Sequence, residues 1–240
     1  RATMRFVAVK TEPSQAAAMA YSSRNLLVRQ RTQTINALRG HLAEYGVVAP
    51  AGLLHVGRLS AAVKGDADAL PGPVVDLARV LLAQIAALTV QIDYIETQSR
   101  QRASQHAAIR RLLTVPGVGV IAASALTTFA PPPETFAKGC DFAPWVGLRP
   151  RQHSSGGKER LDKTTRMGQR DACRLLIIGA VAVVRWAARK GAPDGTWLAR
   201  MRARQLRMLV AVGLANRMAR VAWAMMRKEE TYRGPAAVMA

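Results

Sequence analysis

Cysteine and histidine are scarce in this 240-residue chain, and their scarcity narrows what the protein can be. The two cysteines, Cys140 and Cys173, form no Cys-x-x-Cys pair, and His41, His55, His106 and His153 are scattered. That spacing argues against a zinc site or a disulfide framework and fits a reducing cytosol. Aromatic residues make up only 5% of the sequence while Ala, Leu, Val and Arg abound, which favours helices over sheets. Uninterrupted apolar runs are short. The longest, Leu175 to Val184, is about half of the roughly 20 residues that a bilayer span requires, so no membrane partner is expected. No signal peptide is visible at the N-terminus. Acidic residues are outnumbered, 15 against 35 Lys and Arg, for a net charge of +20. Charge of one sign on this scale implies a polyanionic partner, nucleic acid or an acidic membrane surface.

What is present is apolar enough to build a core, since half of the residues are hydrophobic. The fold class that follows is mainly α. Met4 to Val9 reads as a strand, but no second strand candidate of similar quality follows, and a lone strand is not stable by itself. It is either the edge of a sheet whose other strands lie upstream or an irregular entry segment. Pro13 and Ser14 open a helix to about Gly46, with Val28, Ile35, Leu38 and Leu42 on one face. Val47 to Pro73 reads as a loop with short helical pieces.

Val74, Leu77, Leu81, Ile85, Leu88, Ile92 and Ile95 recur at spacings of three and four, a seam about three heptads long. Ser99, Arg102 and His106 then occupy seam positions before Ile109 and Leu113 resume it. A helix from Val74 to Leu113 would be roughly 60 Å long. The seam predicts a coiled coil, within the chain or between subunits; an amphipathic core helix has the same spacing.

From residue 112 the texture is that of a compact helical domain. Pro116, Gly117 and Gly119 break the chain before a helix from Val120 to Phe129, the pattern of a helix-hairpin-helix-like element. In such a hairpin Gly117 and Gly119 let backbone N–H groups approach a phosphate, although a Gly-containing turn between packed helices fits as well. Pro131-Pro132-Pro133 forces an extended linker. Asp141 caps a short helix through Gly147, Arg149 to Gly168 reads as loop, and Gln169 to Lys190 is a buried helix ended by Gly191. A helical pair covers Trp197 to Lys228.

Two adjacent serines lie in Arg149-Pro150-Arg151-Gln152-His153-Ser154-Ser155-Gly156-Gly157-Lys158-Glu159-Arg160. Between Arg149 and Arg174 there are eight Lys or Arg and three acids. A serine hydroxyl needs an activating base or metal to act as a nucleophile, and cations beside it would stabilise charge on a reacting phosphate. Spacing alone fits a flexible phosphate-binding loop better. Between Leu175 and Lys228 eleven basic residues face one acid, Asp194, and Arg200, Arg202, Arg204 and Arg207 cluster. So one-sided a surface favours nucleic acid.

The line Phe142-Ala143-Pro144-Trp145-Val146-Gly147-Leu148-Arg149-Pro150-Arg151-Gln152-His153-Ser154-Ser155-Gly156-Gly157-Lys158 resembles the signature of the DEDD-type transposases of insertion-sequence family 110. The likeness continues through Met167 to Asp171 and Arg174-Leu175-Leu176. Upstream it includes Leu112 to Gly119, Arg24 to Arg31 and Thr3 to Lys10. The resemblance implies a RuvC-like nuclease domain with four acidic residues that bind Mg2+, then a coiled coil, then a C-terminal domain with a catalytic serine. It also implies DNA as substrate and a structured guide RNA as partner. Assembly as a homo-oligomer through the coiled coil is expected, as is a cytoplasmic, nucleoid-associated location. The family's serine directly precedes a glycine, which places the nucleophile at Ser155. Arg149, Arg151, Lys158, Arg160, Arg166 and Arg170 are the phosphate-binding candidates, with Gly117 and Gly119; no metal ligand is assigned.

On this reading residues 1–46 hold the remnant edge of a RuvC-like domain and a first helix. Residues 47–111 are linker and coiled coil, 112–230 the serine-bearing transposase domain, and 231–240 a tail. The four acids should lie before the strand at Phe6 to Val9, so this chain alone is expected to be inactive as an enzyme. Asp162 stands where members often have glycine, and Ala172-Cys173 replaces a more basic or branched pair. The competing class is a non-catalytic nucleic-acid-binding remnant or helix-hairpin-helix DNA-binding protein.

Overall fold

The computed structural model describes residues 10–65, 70–158, 160–165, 167–193 and 195–234. The strand expected at Met4 to Val9 and the last residues of the tail lie outside them. Within them the fold is mainly α, as expected. The chain divides into two compact units, residues 19–98 in one and residues 1–18 with 99–240 in the other.

The first of these units is built on a long helical pair. Helix α1 (Glu12–Ala43) and helix α3 (Gly72–Gln105) are joined by a short 3-10 turn and helix α2 (Val56–Lys64). Arg24 Nε donates to Glu96 Oε1 at 2.9 Å and Arg31 Nη1 to Thr89 Oγ1 at 3.3 Å. The pairing descends one helix as it climbs the other, so the two are antiparallel. Ile35, Leu38 and Leu42 of α1 meet Ala78 and Ile85 of α3, with Leu59 and Val63 of α2 closing the core.

The heptad seam thus finds a partner inside the chain: Ile85, Leu88 and Ile92 are all buried. Leu77 does not follow the pattern and is 68% exposed. By length and composition α3 is apolar enough to cross a membrane, the one such helix among the described residues. Its apolar stretches are interrupted by Asp76, Arg79, Gln84, Thr89, Gln91 and Asp93, which hid them from a search for an uninterrupted run.

The helix also ends earlier than the seam suggested. α3 stops at Gln105, His106 takes extended backbone (φ −95°, ψ 110°), and α4 (Ala107–Leu112) starts afresh. The expected continuous helix to Leu113 is therefore broken. The break falls at the polar seam positions, where no apolar contact rewards continuing the same face.

The other unit packs α5 (Val120–Phe129), α6 (Gly139–Val146), α7 (Arg170–Lys190), α8 (Trp197–Arg204) and α9 (Arg207–Lys228) around one core. Leu126, Phe142, Val146, Leu176, Val184 and Val210 are almost fully enclosed. Helix α7 stops at Gly191, as the sequence suggests, with φ 82°. Phe136, Phe142 and Trp145 form an aromatic group, Phe142 and Trp145 stacked at 5.3 Å. Asp141 Oδ2 accepts the Lys138 N–H at 3.3 Å and so caps the start of α6.

One reading is corrected here. The segment after Arg149 is not a structureless loop: β1 (Pro150–Gln152) and β2 (Leu161–Thr164) form an antiparallel hairpin. Its strands carry Arg, Gln and Lys rather than alternating apolar residues, so the usual strand pattern is missing.

Candidate functional site

The hairpin is clamped at its base and turned sharply at its tip. At the base, the Thr165 N–H donates to Arg149 O at 2.9 Å and the Gln169 N–H to Trp145 O at 3.0 Å. Gly168 lies so close to Gly147 and Trp145 that any side chain there would overlap their backbone. Asn216 of α9 donates from Nδ2 to Leu148 O at 2.9 Å, tying the same region to the helical core. At the tip Ser155 and Lys158 form a bridge across Gly156 and Gly157, whose φ values are 59° and 78°. Two consecutive positive φ angles make a two-residue type I′ turn, the geometry for which glycine is preferred.

This turn separates the two serines. The Ser154 hydroxyl accepts the Arg160 N–H at 3.2 Å and so belongs to the hairpin's own framework. Ser155 is exposed, and among the described residues no hydrogen bond engages its hydroxyl. The Lys158 N–H donates to Ser155 O at 3.2 Å and the His153 N–H to Arg160 O at 2.8 Å. Residues opposite each other in such a ladder share a face, and successive residues alternate. Ser155, Lys158, His153 and Arg160 therefore share one face, with Ser154 on the other; Arg151 lies beside a register shift between Pro150 and Gln152.

Of the expected phosphate-binding residues, the hairpin brings Arg149, Arg151, Lys158 and Arg160 together, all exposed. Arg151 also donates from Nη2 to Thr165 O at 3.4 Å. Arg170 is exposed at the first turn of α7, and Arg166 lies outside the described residues. The two glycines of the earlier turn part company. Gly117 (φ 86°) sits against α7, where an added Cβ would be 2.8 Å from Gly179 O and from Val183 Cγ2. Its need for glycine is met by packing. Gly119 faces open space and precedes the first turn of α5.

The cluster Arg200, Arg202, Arg204 and Arg207 is also partly structural. Arg202 Nη1 donates to Ala187 O at 2.6 Å near the C-terminal end of α7, and Arg200 Nη1 to Gly195 O at 3.3 Å.

His153, on the serine face, was not singled out by the sequence reasoning; its place two residues before Ser155 would have marked it once a strand was recognised. Lys138 and Arg220 were missed for a different reason. They join Arg149 around a cleft of about 370 Å³ at the hairpin base, and nothing local in the sequence signals that meeting. Among the described residues no three His, Cys, Asp or Glu side chains come together as metal ligands. Burial pushes the Cys173 thiol above its ordinary pKa.

Residues 109–193, from α4 through the serine hairpin to the end of α7, match the family model described as Transposase IS116/IS110/IS902 family. Protein y4pF/y4sB of Sinorhizobium fredii, whose name carries the word transposase, is 37% identical over 97% of this chain and 60% of its own length. A Pseudomonas aeruginosa protein named as a family 20 transposase is 38% identical over 97% of this chain and 70% of its own. The transposase for insertion sequence element IS1328 of Yersinia enterocolitica is 32% identical over 93% and 66%. The chain thus spans 60 to 70% of the length of these relatives. With identity at this level along nearly all of its 240 residues, the chain belongs to the IS116/IS110/IS902 family of transposases.

Proposed function

We propose that this chain carries the serine side of a DNA strand-transfer site, with Ser155 as nucleophile. The observation that supports this most directly is the exposed Ser155 at the start of a two-residue turn, on a hairpin face shared with Lys158 and Arg160. In the step envisaged, Ser155 Oγ bonds to phosphorus as the bond from phosphorus to one deoxyribose oxygen breaks. The serine proton is lost to a base and the departing oxygen gains a proton. Neighbouring cations offset charge on the non-bridging oxygens.

An unassisted serine hydroxyl is a weak nucleophile, and the described residues offer no metal cluster to activate it. The Mg2+ site with four acidic ligands that the family resemblance implies would act from sequence outside these 240 residues. DNA as substrate, a structured guide RNA as partner and a cytoplasmic location complete the reading. A second copy would dock on the outer face of α3, where Leu77, Val80, Val90 and Tyr94 are exposed.

Trapping the covalent protein–DNA adduct tests the proposal. A longer protein containing the acidic domain, mixed with guide RNA, target DNA and Mg2+, should give a detergent-resistant adduct. Ser155→Ala should abolish it with DNA binding nearly intact, and Ser154→Ala should reduce it less. An adduct lost only with Ser154→Ala would move the nucleophile by one residue. Binding with no adduct under any condition would leave a non-catalytic nucleic-acid-binding module, the reading the basic surface supports by itself.

A further inference from the structure

Helix α6 begins where it presses on α9: a Cβ on Gly139 would be 3.1 Å from Trp223 Cε3 and 3.3 Å from Arg220 Cβ. That close approach sets Lys138, just ahead of α6, beside Arg220 of α9. One turn earlier on α9, Asn216 holds Leu148 O, so Arg149 emerges at the same place. The three cations come from three separate parts of the chain and line the cleft of about 370 Å³ with Cys140, Asp141 and Asn216. None of the three has a carboxylate within ion-pair distance among the described residues. The Asp141 carboxylate is engaged by the Lys138 N–H.

Three cations against the one carboxylate of Asp141 leave the concave site with excess positive charge, which focuses potential on an anion, and this volume suits a nucleotide-sized group. Phe136, Phe142 and Trp145 pack among themselves, and no aromatic ring lines the cleft. A base would find no aromatic platform there, whereas two guanidinium groups and an ammonium suit the oxygens of a phosphate, so the ligand class that fits best is the phosphate. From this cleft the chain runs through β1 to His153 and Ser155, which share one side of the hairpin with Arg160 and Lys158. From Arg149 to Ser155 six residues of extended chain reach at most about 20 Å at 3.3 Å each, or about six base-pair rises.

Resting on the strand-transfer reading, we propose that the Lys138–Arg149–Arg220 cleft is a subsite for a backbone phosphate on the same nucleic acid whose scissile phosphate meets Ser155. It holds the strand at the hairpin base while the tip reaches the reacting position.

The test uses the 240-residue chain, a fluorescent DNA duplex and the double variant Lys138→Ala/Arg220→Ala. Both side chains are exposed, and alanine retains the Cβ that packs on Gly139. Affinity should fall about tenfold near physiological salt. The slope of log affinity against log salt should flatten by about 0.9, the contribution of one phosphate contact. Lys138→Arg/Arg220→Lys should restore both.

A second readout is Cys140, exposed in the cleft. DNA should slow its alkylation by iodoacetamide several-fold relative to half-buried Cys173 in the native chain, and not in the alanine variant. Unchanged affinity, slope and protection in a variant that still binds DNA would overturn the cleft alone. A native chain that binds no DNA would overturn the strand-transfer reading with it. Protection by millimolar inorganic phosphate that DNA does not increase would make this a free-phosphate site and overturn the strand subsite.

Discussion

Ser154 and Ser155 are chemically identical, and the backbone distinguishes them. One hydroxyl is held by the Arg160 N–H while the other stands exposed at the turn. The family signature points to Ser155 and says nothing of how the two hydroxyls differ. That difference is a hydrogen bond that exists only once the hairpin closes. Glycines carry similar hidden information. Gly168→Ala should destabilise the serine-bearing unit by about 2–3 kcal/mol, because the new methyl would overlap the Gly147 and Trp145 backbone. Urea unfolding should show a lower midpoint with an unchanged slope, and a native midpoint would mean the clamp at the hairpin base is not tight. Cys173 should alkylate more slowly than Cys140 near neutral pH, since burial raises its pKa and lowers its thiolate fraction. Equal rates, followed by mass spectrometry, would contradict that burial.

Among the elements, the long helices were legible and the short strands were not. The seam in α3 announced itself by period, and its partner proved to be α1 through Ile35, Leu38 and Leu42. What periodicity could not tell was which apolar face is already used. Leu88→Lys would place a charge at a buried seam position and should cost about 3–5 kcal/mol, read as lost helicity in circular dichroism. Tyr94→Lys, on a side chain 66% exposed, should leave helicity within about 0.5 kcal/mol of native stability. If the outer face of α3 joins two copies, that substitution should lower the mass seen by light scattering. Intact helicity in Leu88→Lys would contradict the intramolecular seam. The serine hairpin escaped notice because its strands are polar; only the Gly156-Gly157 pair signalled a turn, and glycines in a basic stretch fit a flexible loop equally well.

For the whole molecule, a net charge of +20 was the plainest feature of the sequence and remains the best guide to a partner. The structure refines where that charge is available. Arg151, Arg200 and Arg202 are each tied to a backbone carbonyl, whereas Arg149, Lys158, Arg160 and the Lys138–Arg220 pair are exposed. If six or more phosphates are contacted, DNA affinity should fall about a thousandfold between 50 and 200 mM salt. A flat titration by fluorescence anisotropy would remove the basic surface as the binding site. The central claim concerns one oxygen atom, and it can be located directly. Trypsin cuts after Arg151 and Lys158, so both serines fall in the peptide Gln152 to Lys158. After strand cleavage by the longer protein with its guide RNA, nuclease trimming of the adduct should leave that peptide heavier by one nucleotide. Fragment ions in tandem mass spectrometry should place the added mass on Ser155; added mass on Ser154, or on any peptide outside the hairpin, would contradict the account.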